Sequence, residues 1–471
     1  MRSFLVLIFL LFTLNLAAQS GRVGPNSTPE QTTSTADLSV KQMFDEANNY
    51  LRTKAAEFDK NKIPLSEKLY SQTRKEQMQL AAKYAAVATA RKNLAGEEFY
   101  YAGMLHWVAE NYDGTWEELS KFLAGEAPAP EKAQSSRAIL TVILAKQKKL
   151  DEAEKLLVTY MKAEPVKLKE RGRMEGEIAK AYQAEKAFAK AAPHAEEAYR
   201  ASKASVADAA SRAQALDDLL DAGLLVFETN RDAGNQKEAD NVLDDMRKAS
   251  LMLGSPSFFF YTVDKKITYM IETGRKPQAM ETYLTALISA GKDLLTDQQR
   301  QDALRRLKKR EKHYALLGEK APELTSIDAA IGGPNRTLAA FRGKVVLLDF
   351  WATWCGPCYS AFPSLTEWQQ DYQKDGLVVL GLSRYEGRVD GKQVSNEAEI
   401  EYLKVFKQTE NLVYDLLVAG DPTNQTSYGA SGLPTTVLID RKGIVRYIET
   451  GTSKTRLAEL HEAIVKLLAE K

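Results

Sequence analysis

The chain has 471 residues, too many for one ordinary domain, and its length suggests two to four. Hydrophobic residues at 44% and charged residues at 27% describe a soluble globular protein. The formal net charge is +1 and no stripe of basic and aromatic residues appears, so nothing in the charge pattern favours nucleic acid as a partner.

The N-terminus differs from the rest. Arg2 precedes an apolar run from Phe4 to Leu16, broken only by Thr13 and Asn15, and then come Ala17, Ala18, Gln19 and Ser20. A basic start, about a dozen apolar residues and a small-residue end describe a secretory signal, with cleavage expected after Ala18 or Ser20. The alternative, an uncleaved membrane anchor, would want about 20 apolar residues. No cysteine follows the run, which excludes lipid attachment there. Residues 1–20 therefore read as a signal peptide, and 21–39, rich in Ser, Thr, Pro and Gln, as a flexible linker. The expected location is the periplasm or cell envelope.

Residues 40–312 read almost wholly as helix, with apolar positions at three and four spacing. A small residue or Trp recurs just after a turn and opens a second helix, at Trp116, Ala153, Ala191, Ala239 and Ala279, at intervals of 37, 38, 48 and 40. This resembles tetratricopeptide-type helical hairpins, whose period is 34. A non-repetitive bundle is the alternative. His106, His194 and His313 are isolated and read as packed or solvated side chains rather than ligands. The basic stretch 305–314 reads as a solvated helix face leading to a hinge.

From 318 onward the pattern alternates between strand and helix. Continuous apolar runs at 344–352 and 376–384 predict buried strands, with helices expected over 357–374 and 395–408. Residues 411–417 suggest a short strand, 435–440 and 444–450 a hairpin closed by Arg441-Lys442-Gly443, and 453–470 a final helix. The fold expected for 318–471 is α/β, a mixed sheet flanked by helices, following an all-α region.

The whole chain holds two cysteines, Cys355 and Cys358. Strand, then Trp354-Cys355-Gly356-Pro357-Cys358, then helix places the first thiol at a helix start, where unpaired amides favour a thiolate. Its pKa in such motifs falls from about 8.5 to about 7 or lower. Cys355 is thus the expected nucleophile, exposed at the strand end, and Cys358 the resolving thiol one turn inward. Pro357 supplies a preset φ and no unused amide hydrogen. Half a zinc site is the competing reading. With no other cysteine, and the nearest histidine upstream at His313, no metal is expected.

Residues 347–358, LLDFWATWCGPC, resemble the active-site strand of thioredoxin, and Gly432-Leu433-Pro434-Thr435 resembles that family's cis-proline loop. The opening GEKAPEL and the LIDRKG hairpin resemble the envelope branch, the TlpA-like and AhpC/TSA-type thioredoxins. The resemblance covers about 150 residues and implies a thiol–disulfide oxidoreductase without a separate cofactor, its redox group being the Cys355–Cys358 pair. It implies that Trp354, Gly356, Pro357, Leu433 and Pro434 line the substrate site, that Asp349 is a buried proton acceptor, and that Pro363 kinks the first helix. Envelope reductases of the cytochrome-maturation type often carry an acid three residues after the second cysteine, whereas this chain has Ala361. The site therefore looks closer to thioredoxin itself, and a cytochrome-maturation role does not follow from it.

These features suggest an exported reductase or isomerase of protein disulfides, supplied with electrons by a membrane thiol donor, with 40–312 choosing partners and 318–471 folding alone. A helical scaffold with an accessory redox domain is the second reading. A peroxidase is the third, and it lacks the Pro-x-x-x-Thr-x-x-Cys setting that chemistry uses.

Overall fold

The computed structural model describes residues 38–207, 211–334, 337–389 and 391–470. The expected signal peptide, and the linker up to residue 37, lie outside the described residues. Ser39, counted with the linker above, is the cap of the first helix. Its side chain accepts from the Gln42 amide, and Gln42 Oε1 accepts from the Ser39 amide, closing a capping box.

The chain forms two compact units, Met1–Val242 and Leu243–Lys471. The first contains helices α1 (Val40–Lys60), α2 (Glu67–Thr89), α3 (Glu97–Val108), α4 (Tyr112–Leu123), α5 (Pro130–Lys146) and α6 (Leu150–Met161). It continues with α7 (Leu168–Ala184), α8 (Phe188–Ser205), α9 (Arg212–Asp232) and the start of α10 (Gln236–Met252). The second opens with α11 (Pro256–Glu272), α12 (Lys276–Lys292) and α13 (Asp297–Leu316).

One turn geometry recurs through these helices. Two residues before α4, α6, α8, α10 and α12 the backbone takes a positive φ, at Glu110, Lys148, Lys186, Gly234 and Gly274. The next amide, of Asn111, Lys149, Ala187, Asn235 or Arg275, donates to a carbonyl five residues back, of His106, Leu144, Tyr182, Asn230 or Met270. This is the Schellman closure of a helix end. The fourth residue of each following helix is fully buried: Thr115, Ala153, Ala191, Ala239 and Ala279. The expectation at Trp116 is off by one, because Trp116 is 38% exposed and its neighbour Thr115 takes the buried place.

The α/β part contains β1 (Ile327–Ile331), β2 (Val345–Phe350), α14 (Gly356–Tyr359), α15 (Phe362–Tyr372) and β3 (Leu377–Arg384). After a small ribbon of β4 (Arg388–Val389) and β5 (Lys392–Gln393) come α16 (Asn396–Thr409), β6 (Asp415–Ala419) and α17 (Thr423–Tyr428). The chain closes with β7 (Thr435–Ile439), β8 (Val445–Thr450) and α18 (Lys454–Ala469). The sheet order is β1-β6-β3-β2-β7-β8. β2 runs parallel to β3, and β3 to β6, whereas β1, β7 and β8 pair antiparallel.

Alternation along β2 sends its side chains to two cores. Val345, Leu347 and Trp351 join Phe362 and Leu365 of α15, Phe406 of α16 and Ile464 of α18. Val346, Leu348 and Phe350 join a different core, which contains Phe259 and Val263 of α11, Tyr283 of α12, and Leu307 and Tyr314 of α13. Between β1 and β2 the described chain makes only a 3-10 turn, Leu338–Phe341, so this face relies on helices that precede residue 318.

The boundary expected between 312 and 318 therefore falls inside the second unit. The stretch 305–314 is not a free solvated face: Arg310, His313 and Tyr314 are buried. The connection that follows is not a free hinge either. The Gly318 amide donates to the Val445 carbonyl, the Val445 amide to Glu319, and the Ala321 amide to Gly443, which zips the segment along the β7–β8 hairpin.

A fragment of 318–471 would expose the β2, β3 and β6 side chains of the shared core. At about 1.5–3 kcal/mol for each fully buried apolar side chain, the loss is on the order of 10 kcal/mol. That is comparable to the whole stability of a typical domain. We expect 318–471 to bind a hydrophobic dye and melt without cooperativity, and 243–471 to show one sharp transition. Calorimetry of the two fragments checks this, and a cooperative 318–471 contradicts it.

Candidate active site

The two cysteines sit where β2 gives way to helix. β2 ends at Phe350, the chain crosses Trp351–Trp354, and Cys355 is the N-cap of the single-turn helix α14. Cys355 and Cys358 form a disulfide, with S–S 2.01 Å and Cα–Cα 5.4 Å. The Cys358 amide donates to the Cys355 carbonyl, closing the turn that brings the sulfurs together. Pro357 lies in the first turn of α14, as its sequence position suggests.

Exposure at the motif is uneven. Trp354 is 64% exposed, and Gly356 and Pro357 are exposed beside it. Cys358 is buried, as expected, but Cys355 is only 3% exposed, contrary to the exposed position expected for it. Trp351 anchors the motif from below, stacked on Phe406 at 5.3 Å and edge-on to Phe362 at 5.6 Å. The Tyr359 hydroxyl donates to the Thr353 carbonyl at 2.8 Å, tying the turn to the strand end.

The helix expected over 357–374 is interrupted. Ser360 and Ala361 bond back three residues, to Pro357 and Cys358, and α15 restarts at Phe362. Pro363 falls in the first turn of α15 rather than at a kink within one helix. A proline has no amide hydrogen for the Tyr359 carbonyl four residues back, so the helix ends there and begins again.

The second wall of the site is the segment before β7. The Leu433–Pro434 peptide is cis, Pro434 is buried, and Leu433 packs against the core that contains both cysteines. Thr435 pairs with Phe350 across the β2–β7 ladder, which puts the proline at the sheet end that carries the cysteines. The Thr435 hydroxyl donates to the Gly432 carbonyl at 2.7 Å and tightens this loop.

Asp349 lies on β2, on the same face as Trp351, and is 0% exposed. Neither carboxyl oxygen has a hydrogen-bond partner among the described residues. Burial alone pushes its pKa up to about 7. Its β3 neighbour is Gly381, where an added Cβ would come within 2.9 Å of Trp351 Nε1. Sequence reading missed Gly381 and Tyr414. Tyr414 is buried in the core of the two cysteines, and its pKa is raised first by burial and then by the charge of Asp349. Alternation with Leu416 and Val418 was the available signal for Tyr414, but the expected strand at 411–417 starts too early, since β6 begins at Asp415.

Asp349 fixes a sign for the pH dependence of stability. Its folded pKa exceeds the unfolded value of 3.8, so the folded state keeps the proton longer and stability falls as pH rises from about 4 to 7. A shift of about three units is worth roughly 4 kcal/mol at pH 8. Asp349→Asn should stabilise the protein by roughly 3–4 kcal/mol at pH 8 and by almost nothing at pH 4. Denaturant titrations at both pH values measure it, and an equal gain at both would mean that the charge is not what costs stability.

Known proteins match the α/β part of the chain in sequence. Residues 316–464 match the Redoxin family model. The chain is 30% identical over 156 residues to the thiol-disulfide oxidoreductase ResA of Geobacillus thermodenitrificans, which spans 33% of this chain and 82% of that protein. It is 33% identical over 161 residues to the thiol:disulfide interchange protein DsbE of Vibrio cholerae, spanning 33% of this chain and 77% of that one. The solved structure of a thiol-disulfide isomerase from Corynebacterium glutamicum is 22% identical, covers 32% of this chain and 98% of its own, and gives a TM-score of 0.27. The chain belongs, through its C-terminal α/β part, to the TlpA-like thioredoxin family of thiol–disulfide oxidoreductases.

Proposed function

We propose that the protein reduces or isomerises disulfides in other proteins through Cys355 and Cys358. One observation carries this reading: the Cys355–Cys358 disulfide caps a helical turn at the sheet end that also holds the cis Leu433–Pro434 loop. In the reduced protein the Cys355 thiolate attacks a substrate sulfur, forming a mixed disulfide and expelling a substrate thiolate. Cys358, deprotonated by Asp349, then attacks Cys355 Sγ and expels the second substrate sulfur. The substrate gains two electrons and the protein becomes a disulfide, which an external dithiol must reduce.

Each side chain has a physical reason for its part. α14 is one turn long, so the free amides of that turn, rather than a long helix dipole, would stabilise the Cys355 thiolate. Exposed Trp354 with Gly356 and Pro357 offers an apolar platform to an incoming chain, and Leu433 beside Pro434 offers backbone groups. Asp349, with a pKa of about 7, suits a general base near neutral pH. Ala361 leaves the position three after Cys358 without a carboxylate to share that task.

The remaining parts of the proposal concern place and partners. The N-terminal segment supports export to the envelope, where a membrane thiol donor would return electrons to the disulfide. Among the described residues no helix is long and apolar enough to cross a membrane. The hairpins of the first unit select the partner, while α11–α13 belong with the catalytic unit.

With dithiothreitol as reductant the protein should reduce insulin, and Cys355→Ser should abolish this. Cys358→Ser should accumulate a mixed disulfide through Cys355, visible by mass spectrometry. Asp349→Asn should leave the first attack within about twofold and slow release at least tenfold near pH 7, read by rapid mixing. An active Cys355→Ser, with nothing trapped by Cys358→Ser, would reverse the assignment of nucleophile.

A further inference from the structure

The loop that carries Pro434 is gripped by a helix outside the matched family region. α13 ends at Leu316, where that match begins, and its last turns face α17 and β8. Arg310 and His313 are 7% and 2% exposed. The Arg310 guanidinium donates from Nε to Asp264 Oδ1 of α11 at 2.8 Å and from Nη1 to the Ile448 carbonyl of β8 at 2.8 Å. Its Nη2 lies 2.7 Å from Glu449 Oε1, and Nη1 lies 2.9 Å from His313 Nδ1. The Tyr314 hydroxyl donates to the same Asp264 oxygen at 2.7 Å.

Those contacts fix the tautomer of His313. Its Nδ1 accepts from Arg310, so Nε2 carries the hydrogen and donates to the Gly429 carbonyl at 3.0 Å. Burial, with Arg310 beside it, lowers the imidazole pKa to about 4 and keeps the ring neutral. Gly429 has φ +66, and a Cβ there would meet Lys312 Cβ at 2.9 Å and His313 Cδ2 at 3.1 Å. The helix and the start of the loop are thus in direct contact. The other end of the loop is tied to β8, because Thr435 pairs with Thr450 and the Gly451 amide donates to the Pro434 carbonyl.

We propose that Arg310 and His313 are positioning residues that hold the Gly429–Pro434 loop in the shape that receives a substrate disulfide. α13 touches the start of that loop at Gly429, and it holds β8, the strand to which the far end is tied, at Ile448 and Glu449. Losing its grip weakens substrate binding and leaves thiol chemistry intact. This rests on the disulfide reductase reading given above.

His313 is the cleaner residue to change, because removing Arg310 would leave the part-buried carboxylates of Asp264 and Glu449 without their shared partner. His313→Asn keeps an acceptor for Arg310 but falls short of Gly429, His313→Leu removes both bonds, and His313→Gln retains a donor long enough for Gly429. In the full-length protein we expect His313→Asn and His313→Leu to raise KM for insulin five- to tenfold. Both should keep kcat, and the rate at which dithiothreitol reduces Cys355–Cys358, within twofold. His313→Gln should restore KM to within twofold. Amide hydrogen exchange at Ser431–Leu433 should quicken at least tenfold in the Asn and Leu variants, and either variant suffices if the other does not fold. Wild-type KM and unchanged exchange in a folded variant would overturn the proposal, as would a parallel loss of the dithiothreitol reaction. Failure of the wild type to reduce insulin would instead contradict the proposed function, and the exchange measurement would still test the anchor.

Discussion

Strand β2 is buried on both faces, and the arrangement of the catalytic unit follows from that constraint. Every residue from Val345 to Phe350 is enclosed, so the strand must find one apolar partner above the sheet and another below. Helices α15, α16 and α18 provide one, and α11–α13 contribute to the other. A strand so confined cannot slide by one residue without exchanging its two cores. Its register with β3 and β7 is therefore fixed, and with it the height of the turn that carries the cysteines and the position of the loop opposite. The same confinement leaves Asp349 no access to water, and its raised pKa is a consequence of the strand's packing rather than of any charged neighbour.

Helices α11–α13 and the α/β part are joined by more than the chain between them. A covalent linker would leave the two parts independent. Here the join is a shared core plus an ionic cluster around the buried Arg310, with the following residues hydrogen-bonded along a hairpin. Buried ion pairs are weak evidence for stability, because desolvation offsets much of the attraction. The geometry is demanding, since a single guanidinium serves two carboxylates, a histidine and a carbonyl.

Much of this was legible in the sequence because it rests on local chemistry. The apolar runs at 344–352 and 376–384 became β2 and β3 within a residue or two, and Trp354 to Cys358 with Leu433-Pro434 lie together at one end of the sheet. Asp349 could be read as buried because it interrupts an apolar strand. What was hidden depends on contacts between distant segments. The charges of 305–314 look solvated in one dimension, and no local pattern tells that Arg310 faces Asp264 and Glu449 while Arg305 and Arg306 face Asp302 on their own helix. β1 and α17 are short and were not expected, being stabilised by the sheet edge and by Tyr428 packing on Phe350 rather than by their own periodicity. The burial of Cys355 was equally hidden, since it depends on the core of α15, α16 and α18 that encloses the motif.

Cys355 and Cys358 share thioredoxin's Gly-Pro spacer, and a disulfide reductase needs them to form a reducing couple. The most direct measurement is the midpoint potential of the pair in the full-length protein, equilibrated against glutathione or dithiothreitol buffers at pH 7 and followed by thiol alkylation. A value near thioredoxin's, about −270 mV, is the result expected of a disulfide reductase. A value near about −120 mV, that of the strong oxidant DsbA, would contradict it and make the protein a donor of disulfides.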